Sequence, residues 1–257
     1  MKRTSIILVG ALILLAGCFD IEMGMKLEKN LSGTFGMSTT IDMEPMLLTM
    51  ASFQRQFSGE EGPPTDAELA EMRAEMMAEM NAEEELTGEE LRNEVEADLP
   101  EGFELISAES ERDGLATSFN VLVSFPHIDR LKELELNQPG DEPTGGAAGE
   151  MDFDSISNPF QGLELIDEGD TYLLVSDVPN PVEDLGEQEN MMFDMEEMFD
   201  NLFGNLRVAF TIEVPGEIVE HNATRVEGDK LIWEFTPDNL KDGVGTDIDQ
   251  IRVRFKK

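Results

Sequence analysis

One cysteine, two histidines, one tryptophan and one tyrosine stand in 257 residues. A single cysteine excludes a disulfide framework within the chain. With only two histidines beside it, a closed four-ligand Cys/His zinc site has too few ligands. Bases are scarce as well: 18 Lys and Arg face 56 Asp and Glu, a formal net charge of −38. Phosphate backbones demand basic side chains in excess, so nucleic acid is not an expected partner. Long apolar runs are missing too. The 40% hydrophobic content is nonetheless enough to build one or two domains at this length.

The one apolar run is at the start. Lys2 and Arg3 precede Ser5 to Ala16, a stretch of Ile, Leu, Val, Ala and Gly after its serine. It is shorter than the ~20 residues that cross a bilayer and matches the apolar region of a signal peptide. It ends in Leu15-Ala16-Gly17-Cys18, which resembles the bacterial lipobox. That pattern makes Cys18 the mature N-terminus and the site of acylation. Acyl chains contribute about 0.8 kcal/mol per buried CH₂, so several of them (palmitate among them) form a stable anchor. The expectation is a signal peptide over residues 1–17 and a mature chain from Cys18 to Lys257, tethered outside a bacterial cytoplasmic membrane.

The charge is unevenly spread. Residues 59–101 hold sixteen acids and two bases, and residues 133–206 hold twenty acids and no base. The rest of the chain is close to neutral, and it reads as sheet. Ile21 to Lys29 and Gly33 to Met43 flank a turn at Asn30-Leu31-Ser32. Phe103 to Glu111 and Leu115 to Phe125 flank Asp113-Gly114, a hairpin signal. Leu206 to Val214, Ile218 to Val226 and Lys230 to Phe235 form a third group. In the last strand, Gln250 to Lys256, apolar residues alternate with Arg252, Arg254 and Lys256. Short connections within each group predict antiparallel pairing.

Helices are expected at Glu44 to Phe57, Ile128 to Leu136 and Phe193 to Phe203. The first acidic block predicts two more, each opened by a capping box: Thr65 to Glu68 and Thr87 to Glu90. Residues 59–101 and 137–160 therefore read as insertions in one domain spanning 18–257. The first is helical. The second is a Pro/Gly-rich loop.

No catalytic constellation is visible. His127 and His221 read as surface or hydrogen-bonded structural residues, and no nucleophile elbow or phosphate loop is present. Sixteen methionines invite a Cu(I) reading, at Met191, Met192, Met195 and Met198 above all, but Met stripes at helical spacing read first as packing. The late acids Asp238, Asp242, Asp247 and Asp249 lack an EF-hand pattern. No enzyme activity, cofactor or metal is expected. The basic face of the last strand reads as a solvated face, with anionic headgroups or the protein's own acids as other partners.

Phe210 to Ala223, with Pro215-Gly216 and Asn222, followed by Leu231-Ile232-Trp233-Glu234-Phe235, resembles the strand, Pro-Gly, strand, Asn and Trp hairpin of LppM-type bacterial lipoproteins. The resemblance implies an α+β domain with a curved antiparallel sheet packed on helices, similar to lipid-binding folds, and implies no enzyme activity. On that reading the sheet curves around Glu44 to Phe57. Met50, Phe53, Phe210 and Trp233 then line either the core or an apolar pocket. The expected function is a membrane-anchored envelope protein that binds a lipid or other apolar ligand. The alternative is a scaffold that presents acidic surface to a basic protein partner.

Overall fold

The computed structural model describes residues 18–58, 62–82, 87–134, 162–177, 207–236 and 250–257. Its fold is α+β, with two sheets and helices packed against them. The large sheet has seven strands in the order β3-β4-β2-β1-β7-β10-β9. These are β1 (Cys18–Leu27), β2 (Gly33–Asp42), β3 (Glu104–Asp113), β4 (Ala116–Phe125), β7 (Arg207–Glu213), β9 (Arg225–Glu227) and β10 (Lys230–Phe235). The small sheet has four strands in the order β5-β6-β11-β8. These are β5 (Glu164–Asp167), β6 (Thr171–Asp177), β8 (Ile218–His221) and β11 (Gln250–Lys256).

Period-two alternation explains the core. On β1, Ile21, Met23, Met25 and Leu27 are buried, while Glu22 and Lys26 are exposed. Val121, Val123 and Phe125 of β4, Phe210 and Ile212 of β7, and Leu231 and Trp233 of β10 join the same cluster. The small sheet closes it with Leu174, Ile251, Val253 and Phe255, so the two sheets share one core. Met23 and Met25 act here as core filler, a role that suits a flexible thioether.

Three helices follow β2: α1 (Glu44–Ser58), α2 (Asp66–Ala82) and α3 (Gly88–Asp98). Both capping boxes form. The Thr65 amide donates to Glu68 Oε2 at 2.6 Å, and the Thr87 amide donates to Glu90 Oε2 at 2.9 Å. Each threonine hydroxyl accepts the return bond from its glutamate's amide. Helix α3 packs along β3 and sends Leu91 into the shared core, with Val95 and Leu99 beside it. Helices α1 and α2 pack chiefly on each other, and α1 also packs against β1. Leu47 and Ala51 of α1 are buried outside the shared core cluster.

Four details differ from the sequence expectations. First, the partner that closes the core is the small sheet, not α1. Second, β1 and β7 run parallel, from Asp20 opposite Arg207 to Lys26 opposite Glu213. These strands are joined by a long stretch of chain rather than a tight turn, so antiparallel pairing is not imposed on them. Third, Ile218 to Val226 is two strands in different sheets. The chain crosses from one sheet to the other at Asn222-Ala223-Thr224, where the Thr224 hydroxyl donates to the Ile232 carbonyl and accepts from the Glu234 amide. Fourth, Ile128–Glu133 is a 3₁₀ helix. Ile128, Leu131 and Leu134 are all buried, and a spacing of three aligns side chains at three residues per turn. The expected loop at 137–160 and helix at Phe193 to Phe203 lie outside the described residues.

Candidate functional site

The residues singled out from the sequence do not converge on one cavity. Phe210 and Trp233 are register partners on adjacent strands and are buried within the shared core. The indole N–H of Trp233 is satisfied by the Asn222 side-chain oxygen at 3.0 Å. Met50 and Phe53 lie on α1, with Met50 half-buried and absent from the core cluster. Leu15, Ala16 and Gly17 lie outside the described residues. Cys18 is the first residue of β1, opposite Asp42 of β2.

That end of the large sheet also carries the base of the α1–α2 hairpin. The Asp42 carboxylate accepts from the Glu44 amide at 2.9 Å, capping the start of α1. Arg112, near the end of β3, donates from Nη1 to the Met80 carbonyl at 3.0 Å, in the last turn of α2. A cation suits a helix C-terminus, where the backbone carbonyls lack partners. Both ends of the hairpin are thus tied to the sheet end where Cys18 sits.

Between α1 and α2 lies an apolar cleft of about 270 Å³, lined by Glu44, Pro45, Leu47, Leu48, Leu69 and Arg73. Arg73 pairs with Glu44 across its rim. Arg55 pairs with Glu68 at 2.8 Å nearer the hairpin turn. Leu48 is 55% exposed and Met77 is 37% exposed, both on this hairpin. A second, more open concavity of about 510 Å³ lies at the opposite end of the sheet, among Lys26, Glu28, Ser32, Thr34, Glu104 and Ser124. Its lining is mostly polar.

A cationic knot sits on the outer face of the large sheet. Arg207 donates from Nη1 to Asp20 at 2.7 Å and to Glu22 at 2.6 Å, and from Nε to Glu234 at 2.7 Å. Partial burial works against its charge, but the hydrogen bonds to Glu234, Glu22 and Asp20 outweigh it and raise the guanidinium pKa further. One arginine thereby links β1, β7 and β10. The basic face of β11 is also used locally. Arg254 pairs with Glu168 at 2.8 Å and with Glu220, Lys256 with Glu217 at 2.6 Å, and Lys257 with Asp167 at 2.5 Å. The Arg254 hydrogen bond holds the Glu168 pKa below the ordinary carboxylate range, and the Lys257 hydrogen bond does the same to Asp167.

No family model and no curated protein matches the chain. Among solved structures, the folded domain of Mycobacterium tuberculosis LppM, determined by NMR, overlays with a TM-score of 0.41. The overlay covers 93% of this chain and 90% of that one, at 9% sequence identity.

The histidines take local roles. His127 Nδ1 accepts from the Asp129 amide at 3.3 Å, and His221 Nδ1 accepts from the Ala223 amide at 3.2 Å. Among the described residues, no group of three or more His, Cys, Asp and Glu is arranged to hold a metal. Among them, too, no helix is long and apolar enough to cross a membrane. The copper and calcium candidates of the sequence reading, Met191 to Met198 and Asp238 to Asp249, lie outside the described residues. Sequence reasoning missed Arg73, Arg112 and Arg207 as structural cations. Arg73 carried a usable signal: it is one of only two bases in residues 59–101.

Proposed function

We propose that the protein is a lipid-anchored, non-catalytic lipoprotein of a bacterial envelope, held on the extracytoplasmic face of a membrane through Cys18. Its domain receives an apolar ligand, a lipid acyl chain being the fitting chemistry. The observation that carries the anchoring is the lipobox-like Leu15-Ala16-Gly17-Cys18, which makes Cys18 the mature N-terminus. Cys18 itself pairs with Asp42 in the large sheet, so an anchor there is joined directly to the fold. The α1–α2 cleft is an apolar concavity among the described residues that a ligand could enter, whereas Phe210 and Trp233 are committed to the core.

Mass spectrometry of the N-terminal peptide from membranes tests the anchor. The expected result is a chain beginning at an acylated Cys18. A mature N-terminus elsewhere, or an unmodified Cys18, overturns it. Native mass spectrometry of the full mature protein, extracted with and without added membrane lipid, tests the ligand. Retained lipid that is lost on Leu69→Glu supports the cleft, and no retained lipid sinks it.

The exposed acids of α2 favour a second reading, a scaffold that docks a basic partner. Glu71→Gln with Glu75→Gln tests it without disturbing Leu91 in the core. Unchanged capture of a lysine-rich peptide would remove that reading.

A further inference from the structure

The base of the α1–α2 hairpin and the N-terminus of β1 share one end of the molecule. Cys18 lies opposite Asp42, Asp42 caps the amide of Glu44, and Pro45 and Leu48 follow within the first turn or so of α1. An extended chain covers at most ~3.6 Å per residue and paired strands lie ~5 Å apart, so the start of α1 is within about 13 Å of Cys18. No linker separates Cys18 from the sheet, because Cys18 is itself a ladder residue. A lipid on Cys18 therefore brings this end of the sheet, and α1 with it, to the depth of the headgroups.

The surface that arrives there is suited to that depth. Leu48 is 55% exposed beside Pro45 and Leu69, and Met77 is 37% exposed one turn beyond Arg73. At 100° per residue, Leu69, Arg73 and Met77 lie along one face of α2, and Glu71 and Glu75 lie on the far side. That face of α2 carries one base, and Glu71 and Glu75 point away from it. Arg73, paired with Glu44 at the rim, presents a long aliphatic stem with its charge at the tip.

We propose that the α1–α2 hairpin seats on the leaflet that holds Cys18, with Pro45, Leu48, Leu69 and Met77 toward the lipid and the cleft open to its acyl chains. This deepens the lipid-anchoring reading and rests on it. The seated surface orients the domain on the membrane, with the polar concavity of the opposite sheet end held away from it. The acids on the far side of α2 favour zwitterionic over anionic headgroups, since negative surface is repelled by negative lipid.

The test uses the full acylated protein reconstituted into phosphatidylcholine vesicles containing bromine-labelled acyl chains. Two variants each add one tryptophan: Leu48→Trp on the hairpin and Lys29→Trp in the β1–β2 turn. Lys29 lies beyond the far end of a ten-residue strand, ~30 Å from Cys18. The native Trp233 is fully buried and gives both variants the same background. The expected result is that Leu48→Trp loses most of its added emission and Lys29→Trp keeps its own. Acylated protein in which neither position is quenched, or both equally, overturns the seating and leaves the anchor standing. An N-terminal peptide without acyl groups at Cys18 overturns the anchoring reading and the seating with it.

Discussion

The side-chain oxygen of Asn222 accepts two hydrogen bonds at once, from Trp233 Nε1 at 3.0 Å and from the Arg252 amide at 2.8 Å. Its Nδ2 donates to the Gln250 carbonyl at 2.6 Å. One side chain thus joins β10 of the large sheet to β11 of the small sheet, at the point where the chain itself passes between them. Asn222→Ala leaves a buried indole N–H without an acceptor and should cost about 2–3 kcal/mol. Asn222→Asp keeps the acceptor for Trp233 but sets its second carboxylate oxygen against the Gln250 carbonyl, so it should recover only part of that loss. Urea denaturation of the two variants checks the order.

The shared core predicts a contrast between two apolar residues. Phe255 is fully buried and meets Tyr172 at a ring distance of 5.8 Å, so Phe255→Ala should cost about 3–5 kcal/mol. Leu48 is largely exposed, and Leu48→Ala should change the stability of the soluble form by no more than ~0.5 kcal/mol. Thermal unfolding of both variants in detergent-free buffer decides the matter. A large loss at Leu48 would mean that the hairpin surface is part of the fold.

Glycine is required for different reasons at two turns. A Cβ at Gly216 would overlap the carbonyl of Lys256, which the last strand holds in place. Gly216→Ala should therefore displace the end of β11 and cost about 1–3 kcal/mol as overpacking. Gly114 has φ +64° with open space around it, so Gly114→Ala meets only backbone strain, roughly 1 kcal/mol. Amide exchange at Arg254 and Lys256 should rise in the first variant and not in the second.

Arg207 holds Asp20, Glu22 and Glu234 together in a partly exposed network. Arg207→Met leaves three carboxylates facing one another. The expected loss is about 1 kcal/mol after solvent screening, and larger at low than at high salt. A loss independent of salt would point to the packing of the arginine stem instead.

Acid acts on the caps. Hydrogen bonds from the Thr65 side chain and amide hold the Glu68 pKa below the ordinary carboxylate range, and the amide and side chain of Thr87 do so for Glu90. A lowered folded-state pKa stabilises above the unfolded value and loses that stabilisation as pH falls through the folded value. Helicity in α2 and α3 should therefore weaken on acidification below the ordinary carboxylate range. NMR titration should show Glu90 moving toward the ordinary range in Thr87→Ala, while Glu68 stays lowered.

Local signals in the sequence reported on elements whose structure is locally determined. Both capping boxes, the Asp113-Gly114 hairpin and the alternation in Gln250 to Lys256 are complete within a few residues, and each appears where expected. Features that depend on distant chain were hidden. Leu31 rather than Asn30 takes the left-handed conformation, φ +66°, because its side chain packs on the core and its carbonyl accepts from the Ile128 amide. The break at Asn222 reads as continuous strand until Trp233 and Arg252 are brought beside it. The site divided in the same way. Cys18 is singled out as an anchor candidate by four consecutive residues, whereas the α1–α2 cleft needs Leu48 and Leu69 to meet across a turn.

The parallel pairing of β1 with β7 has a mechanical consequence. It places β1 in the interior of the sheet, with β2 on one side and β7 on the other. A tension applied at Cys18 along the strand would load two ladders in shear together, because neither flank of β1 is free to peel. A tether on an edge strand would open its bonds one at a time. On the proposed anchoring at Cys18, β1 is thus well placed to carry a pull from the membrane into the body of the fold.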